Sequence, residues 1–381
     1  MATLLDFPDI DIFLLYYLDI HSIMRLMQIL KGQYALLSRI DFVKQLCALG
    51  QYNAVNRKYK PLCILNVIIN ASRHGYLPVI KWVYESVNEF IYDSDEINLA
   101  AKNGYVAILE WFVNVYCVVY RSEFLYDGKA INGAAEFGHI AILEWFDKSP
   151  YEFKYTTDAI DNAAANGYIN VLEWFDKSPY EFKYTTDAID NAAANGYINV
   201  LEWFDKSIYE FKYSTDAINN AAGNAHIDVL EWLDKSSYEF KYSKYAIIFA
   251  CIKGHINVLE WFKKSSYEFK YDDAIGYAAV NRHINVLEWL KNSGFEFKNN
   301  SIAIDVASEY GYVNVLQWFK NSGYEFKYNK AIDLAAEKGY IMVLEWFKNS
   351  GYEFKYNDAI LLATKNKHQD ILEWFNTNIK K

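Results

Sequence analysis

The chain has 381 residues, which is long enough for two ordinary domains or for one extended array of repeats. Hydrophobic residues make up 52% of the chain, which excludes the disordered, highly charged class of proteins. The formal net charge is −10, with 38 basic and 48 acidic residues, and no cluster of Lys and Arg supplies the positive field that nucleic-acid binding requires.

The first 63 residues differ from the rest of the chain and predict a helical module at 1–46 followed by a connector at 47–63. The pattern of Phe7-Pro8, then Tyr-Leu18-Asp, then Ser-Ile23 resembles the F-box, a short three-helix motif. Phe7 stands where that family has Leu, and Leu30 stands where it has Cys, so the match is degenerate. The resemblance implies that Phe7, Pro8, Leu18 and Ile23 contact the small adaptor that links F-box proteins to a cullin-type ubiquitin ligase.

The same segment has a simpler interpretation as a helical cap. A repeat array leaves the apolar face of its first unit uncovered, and terminal units need a polar covering layer. Residues 1–46 are placed to supply that layer, and a cap and an F-box are compatible roles for one segment. Both alternatives stay open at the level of sequence.

Tryptophan marks an internal repeat that occupies residues 64–381. All 11 tryptophans share one sequence context, and successive ones are 28 or 29 residues apart, except for a gap of 34 between Trp111 and Trp145. Residues 143–178 are identical to residues 172–207, which is a shift of 29. Self-similarity at a fixed period is the signature of stacked repeats, so the sequence predicts an all-α helical repeat solenoid of about 11 units.

One unit, read from residue 156 to residue 184, predicts a first helix that ends at a glycine. Ile160 and the pair Ala163-Ala164 fall on one helical face, and Thr157 is the expected N-cap. Gly167 is expected to end the helix in the left-handed conformation, and Gly196 does the same one repeat later.

The second helix of the unit is predicted from about Tyr168 to Lys177, and a Tyr-Glu-Phe-Lys-Tyr link with extended backbone follows it. Glu173 and Lys177 are four residues apart and the pair recurs, which favours a solvated helix face over paired catalytic carboxylates. The structural core of the repeat is predicted to contain Gly167, Gly196 and five tryptophans: Trp145, Trp174, Trp203, Trp232 and Trp261.

Residues 163–172, Ala-Ala-Ala-Asn-Gly-Tyr-Ile-Asn-Val-Leu, resemble the central Ala-Ala-x-x-Gly-His-x-x-Val-Val segment of the ankyrin repeat. The link from Gly351 to Phe354 resembles that family's Gly-Ala-Asp-Val link. The period is shorter than the usual ~33 residues, and the hairpin tip has no counterpart. Short units of this kind look like the divergent ankyrin-like arrays of large amoeba-infecting DNA viruses.

This resemblance implies a noncatalytic scaffold for protein–protein interaction, with a protein ligand that the sequence does not identify. The alternative function is a substrate-recruiting F-box subunit of a ubiquitin ligase complex. No catalytic, cofactor-binding or metal site is expected. Histidine follows the turn glycine in some units, but Tyr replaces it in others, and equivalent positions in stacked units are too far apart to share one ion.

The four cysteines, Cys47, Cys63, Cys117 and Cys251, show no metal-ligand spacing and are typical of a reducing compartment. The N-terminus lacks the features of a secretory signal, and no apolar run reaches the ~18 residues that span a bilayer. We therefore expect an intracellular protein of the cytoplasm, without membrane or nucleic-acid partners; for a viral chain this is the host cytoplasm. The oligomeric state does not follow from the sequence.

Two irregular features leave alternatives open. The 34-residue gap after Trp111 contains residues 113–120, which favour a longer second helix, although an insertion in a repeat array can also form a binding loop. The tyrosines of the links either pack within the array or form an exposed row at an interface, where Tyr is enriched.

Overall fold

The computed structural model describes residues 68–86, 90, 92–270, 274–296, 301–356 and 358–379. Within these residues the secondary structure is helical, with no β-strand. The described residues fall into two compact units, one that ends at Ala188 and one that begins at Ile189, and helices in each unit pack against the helices of neighbouring repeats. The predicted all-α helical repeat architecture is therefore confirmed.

In the first unit, the described helices alternate between a first and a second helix of each repeat. The second helices of this unit are α1 (Leu77–Ser86), α3 (Val106–Trp111), α6 (Ile140–Lys148) and α8 (Ile169–Lys177). The first helices are α2 (Ser94–Lys102), α5 (Gly128–Glu136), α7 (Asp158–Ala165) and α9 (Asp187–Ala194), the last of which contains the boundary between the units. A π-helix, Phe112–Cys117, joins α3 to the short helix α4 (Val118–Tyr120).

The second unit continues the same alternation within its described residues. Its first helices are α11 (Thr215–Gly223), α13 (Lys244–Lys253), α15 (Ala274–Val280), α17 (Ser301–Glu309), α19 (Ala331–Lys338) and α21 (Ala359–Lys365). Its second helices are α10 (Ile198–Lys206), α12 (Ile227–Lys235), α14 (Ile256–Lys264), α16 (Ile284–Asn292), α18 (Val313–Ser322), α20 (Ile341–Ser350) and α22 (Gln369–Asn378).

Successive first helices pack closely because their facing side chains are small. In α11, Ala217, Ala221 and Ala222 are fully buried, and the helix contacts α13 extensively. Second helices of neighbouring repeats make fewer contacts with one another. Small residues allow two helix backbones to approach, so alanine at these positions brings the first helices together.

The fully buried ring of the second helix belongs to the residue after the tryptophan, and not to the tryptophan. Phe262 is 0% exposed, whereas Trp261 is half-buried and packs beside the stacked rings of Phe240 and Tyr267, with ring centroids 5.6 and 6.2 Å away. The same half-buried state holds for the predicted core tryptophans Trp145, Trp174, Trp203, Trp232 and Trp261. These tryptophans thus lie at the rim of the core, because the link rings cover one side of each indole.

The N-cap of α7 differs by one residue from the prediction. Thr157 already has helical backbone angles, φ −57° and ψ −27°, so its side chain makes no capping hydrogen bond. Instead, the backbone N–H of Asp158 donates to Thr156 Oγ1 at 3.2 Å. In the second unit, Ser214 and Ser243 accept the equivalent hydrogen bonds from the N–H groups of α11 and α13.

Glycine at the turn between first and second helix meets two requirements. Gly167 and Gly196 have φ of 76° and 78°, the left-handed conformation that L side chains disfavour. In addition, a Cβ on Gly196 would lie 2.6 Å from the imidazole Nδ1 of His226, which packs over the turn from the next repeat. The residue after the turn and the glycine one repeat earlier therefore form a single packing element.

We expect Gly196→Ala to lower the free energy of unfolding by at least about 1–2 kcal/mol, from the left-handed backbone and the contact with His226. Gly276→Ala is the matched control, because Gly276 lies in α15 without a positive φ and nothing lies within 4 Å of a Cβ there. Alanine favours the helix at that position by about 0.5–1 kcal/mol. Urea unfolding of both variants measures the difference, and equal losses would contradict the turn requirement.

Candidate interaction surface

The tyrosines of the links hydrogen-bond within the array. The last Tyr of one link donates to the backbone carbonyl of Glu in the next link, as Tyr155 does to Glu181. The first Tyr of some links donates to an aspartate on the second helix one repeat earlier, as Tyr180 does to Asp147 Oδ1 of α6 at 3.1 Å. Burial, followed by the hydrogen bond to Asp147, raises the pKa of Tyr180 to about 12. These hydroxyl groups therefore connect neighbouring repeats, which favours packing over an interface row at these links.

The exposed side of the second helices carries the expected ion pairs. Glu173 and Lys177 approach to 3.6 Å, and four further pairs have the same spacing: Glu144–Lys148, Glu202–Lys206, Glu231–Lys235 and Glu260–Lys264. Both partners are largely exposed, so each pair contributes little to stability. This confirms the prediction of a solvated face.

The histidines after the turns bond to backbone of the preceding repeat. His283 Nε2 lies 2.8 Å from the carbonyl oxygen of Ile252, and His368 Nε2 lies 2.8 Å from that of Glu337. Burial lowers the pKa of His255, which favours the neutral ring. In the part of the chain that the structure describes, no three His, Cys, Asp or Glu side chains form a group that could hold a metal ion.

One position of the first helices changes character along the chain. Five residues before the turn, three successive repeats carry asparagine, at Asn162, Asn191 and Asn220. The next five repeats carry apolar residues at this position: Phe249, Tyr277, Val306, Leu334 and Leu362. The five apolar side chains all belong to the second unit and are half-buried or exposed.

Exposed apolar side chains flank this row on the same first helices. Tyr245 is 48% exposed in α13, Ile302 is 67% exposed in α17, and Leu361 is 67% exposed in α21. The equivalent of Tyr245 and Ile302 in α11 is Asp216, which is also exposed. We call the five-residue row together with Tyr245, Ile302 and Leu361 the apolar face.

Two shallow grooves between neighbouring first helices lie on this face. The groove between α11 and α13 exists because Gly223 lets Phe249 approach; a Cβ on Gly223 would lie 2.8 Å from the Phe249 Cβ. Lys253 lines this groove and donates to Asn224 Oδ1 at 2.6 Å. Its lining residues are Asn220, Gly223, Asn224, Phe249, Ile252 and Lys253.

The second groove lies between α19 and α21 and combines apolar and charged side chains. Asp333 lines this groove, is buried, and accepts a hydrogen bond from the backbone N–H of Asp358 at 3.1 Å. Burial raises the pKa of Asp333. The groove is lined by Lys330, Asp333, Leu334, Glu337, Asp358, Leu361 and Leu362.

The longer gap after Trp111 forms a longer second helix, as the favoured interpretation predicts. The added residues continue α3 through the π-helix into α4, where Val118, Val119 and Tyr120 are 68%, 60% and 49% exposed. The ring of Tyr120 remains in contact with Tyr116, with centroids 4.8 Å apart. Extra helical residues, not a loop, therefore account for the irregular period.

Comparison with protein-family models finds none that matches the chain, and comparison with curated proteins finds no match either. The residues predicted to contact an F-box adaptor, Phe7, Pro8, Leu18 and Ile23, lie outside the described residues, so that function stays a prediction. Cys117 and Cys251 are free thiols. Among the described helices, none is long and apolar enough to cross a membrane.

Proposed function

We propose that this chain is a noncatalytic scaffold of ankyrin-like repeats that binds another protein through its apolar face. The observation that supports the proposal is the change from Asn220 to Phe249 and then Tyr277 at one position of successive first helices. The fold does not require this change, because repeats with asparagine have the same helix, turn and helix arrangement. Contiguous exposed apolar residues are typical of protein-binding surfaces.

The position of the apolar residues supports binding over packing. The other side of each first helix already contributes alanines to the buried core, as Ala246 and Ala250 do in α13. Tyr277 lies on the opposite side of its helix from such a core and is 41% exposed. Burial of an exposed aromatic or aliphatic side chain by a partner stabilises the complex at roughly 25 cal/mol per Å² of apolar area removed from water, before the costs of association.

The test replaces four residues of the apolar face by the residue that the chain itself places there in other repeats: Phe249→Asn, Tyr277→Asn, Val306→Asn and Leu334→Asn. Proteins captured from cells by the full chain are quantified for wild type and variant. We expect the amount of captured partner to be at least tenfold lower for the variant than for the wild type. Its melting transition is measured alongside to show that the array remains folded.

The control changes the exposed side of the second helices by Glu231→Gln, Glu260→Gln, Glu288→Gln and Glu345→Gln. Because these glutamates lie away from the apolar face, capture should be unchanged. Retention of the same partners by the asparagine variant would refute the proposal, and their loss from the glutamine variant would place the binding surface on the second helices.

A further inference from the structure

We infer that the partner presents an amphipathic segment with acidic side chains along one edge of its apolar side, an inference that rests on the proposed function. The residues that support it lie at the ends of five first helices of the second unit, α13, α15, α17, α19 and α21. We define the turn row as the three residues that end at the left-handed turn position in five successive repeats: 252–254, 280–282, 309–311, 337–339 and 365–367.

The turn row as a whole has a net positive charge beside the apolar face. It contains five basic residues, Lys253, Arg282, Lys338, Lys365 and Lys367, and two acidic residues, Glu309 and Glu337. The equivalent triplets at 165–167, 194–196 and 223–225 are Ala-Asn-Gly, Ala-Asn-Gly and Gly-Asn-Ala, which carry no charge. Three of the five triplets, 252–254, 280–282 and 365–367, are net basic beside a residue of the apolar face, whereas 337–339 is neutral and 309–311 carries only Glu309. Apolar and basic side chains therefore adjoin towards both ends of the turn row, which points to one ligand that contacts both.

Two of the basic residues occupy a backbone position that favours glycine. Arg282 and Lys367 both have φ of 63°, where the other turns mostly have glycine. The Arg282 guanidinium lies 4.8 Å from the ring centroid of Tyr312, and the side chain is exposed. Lys365 and Lys367 are exposed as well. A basic side chain is thus present at these turns despite a conformation that L residues disfavour.

The acidic residues of the turn row do not cancel its charge. Glu309 forms an ion pair with Lys338 at 3.5 Å. The rest of the turn row then contains one acidic side chain, Glu337, and four basic side chains. The formal charge of the whole chain is −10, so an acidic segment is repelled by most of the protein and attracted at this row. Complementary charge of this kind selects and orients a partner beside an apolar contact.

A basic residue at the end of a helix also interacts favourably with the helix dipole, so the test must separate binding from stability. The variant Arg282→Gly, Lys365→Ala and Lys367→Gly installs residues that the chain carries at the same positions in other repeats, such as Gly196 and Ala194. Glycine also removes the backbone strain of the left-handed conformation at residues 282 and 367. The charge-matched control, Lys206→Ala, Lys235→Ala and Lys264→Ala, removes three positive charges from the second helices.

The full chain is titrated into two fluorescent helical peptides of three heptads with the same leucine pattern, one flanked by Glu and the other by Lys. We expect wild type and control to bind the Glu peptide at least tenfold more tightly than the Lys peptide. The salt concentration is about 0.1 M, at which interactions between exposed charges are largely screened beyond ~10 Å. The turn-row variant should bind the two peptides within threefold of each other, with an unchanged or higher melting temperature.

Equal affinity of wild type for both peptides would overturn the acidic-partner inference and leave the proposed function intact, provided that Phe249→Asn and Tyr277→Asn weaken both. A loss of preference in the control as large as in the turn-row variant would also overturn it, because the effect would then come from net charge alone. If wild type binds neither peptide, both the inference and the apolar docking surface fail for amphipathic helices.

Discussion

Replacement of Phe262 by alanine is expected to lower the free energy of unfolding by about 3–5 kcal/mol. The Phe262 ring is 0% exposed and contacts the rings of Phe240, Trp261 and Tyr242, with centroids 6.4, 5.0 and 5.5 Å away. Its removal leaves a cavity between two repeats that surrounding backbone cannot fill. Because stability in a repeat array is a sum of local and nearest-neighbour contributions, the loss should concentrate in the repeats that contain these rings.

Trp261→Ala is the matched comparison, since the two side chains are neighbours in α14. Trp261 is half-buried, and its indole stacks on Phe240 and Tyr267. Loss of these ring contacts should cost about 1–2 kcal/mol, less than the loss of Phe262. Urea unfolding followed by circular dichroism gives both values. A loss for Trp261 that equals or exceeds that for Phe262 would show that the indole belongs to the buried core after all.

The contrast between these two neighbours also shows what the sequence could and could not determine. Periodicity identified the second helix well: it is predicted from about Tyr168 and begins at Ile169. However, adjacent residues on a helix point in directions about 100° apart, and both Trp174 and Phe175 are apolar. Which of them faces the core depends on where the link rings pack, and that placement follows from contacts with residues of other repeats.

Local hydrogen bonding limited the prediction of the helix start in the same way. Two threonines precede Asp158, and either hydroxyl is chemically suited to cap the helix. Asp161, buried one turn into α7, accepts hydrogen bonds from the backbone N–H and the hydroxyl of Thr185 at 2.8 and 2.9 Å. This contact holds Thr185, the first threonine of the equivalent pair in the next repeat, at the N-cap position. A contact between two repeats cannot be predicted from the sequence of a single unit.

The candidate surface was present in the sequence but could be recognised only with the structure. Aligning the repeats on their turn residues shows the change from Asn220 to Phe249, yet an apolar residue on a helix is most simply read as core. The structure shows that the alanines occupy the core side of the first helices. The additional apolar residues therefore fall on the side that the repeat leaves uncovered.

The described part of the first unit should become less stable as the pH rises, because of one buried carboxyl group. Glu96 is 0% exposed in α2, and burial raises its pKa to about 8. Glu96 Oε2 accepts a hydrogen bond from the backbone N–H of Asp93 at 3.0 Å, while Oε1 has no hydrogen-bond partner among the described residues. A neutral carboxyl group tolerates that environment, and a carboxylate does not.

The direction of the effect follows from proton binding in the two states. The folded state keeps the Glu96 proton to higher pH than the unfolded chain, whose carboxyl has the ordinary pKa of 4.5. The stabilising contribution is therefore complete below about pH 4.5 and is lost as the pH rises to about 8. With about 1.4 kcal/mol per pKa unit, the loss is on the order of a few kcal/mol.

We expect Glu96→Gln to remove most of this pH dependence, because glutamine resembles the neutral acid in shape and cannot ionise. Urea unfolding between pH 5 and pH 9 measures the slope, and hydrogen exchange of the amides of α2 assigns it to this repeat. Glu152→Gln is the control, since the Glu152 side chain is 78% exposed and its ionisation should affect folding little. A slope in Glu96→Gln as steep as in the wild type would show that Glu96 is ionised in the folded protein, stabilised as a carboxylate by the N-terminal turn of α2.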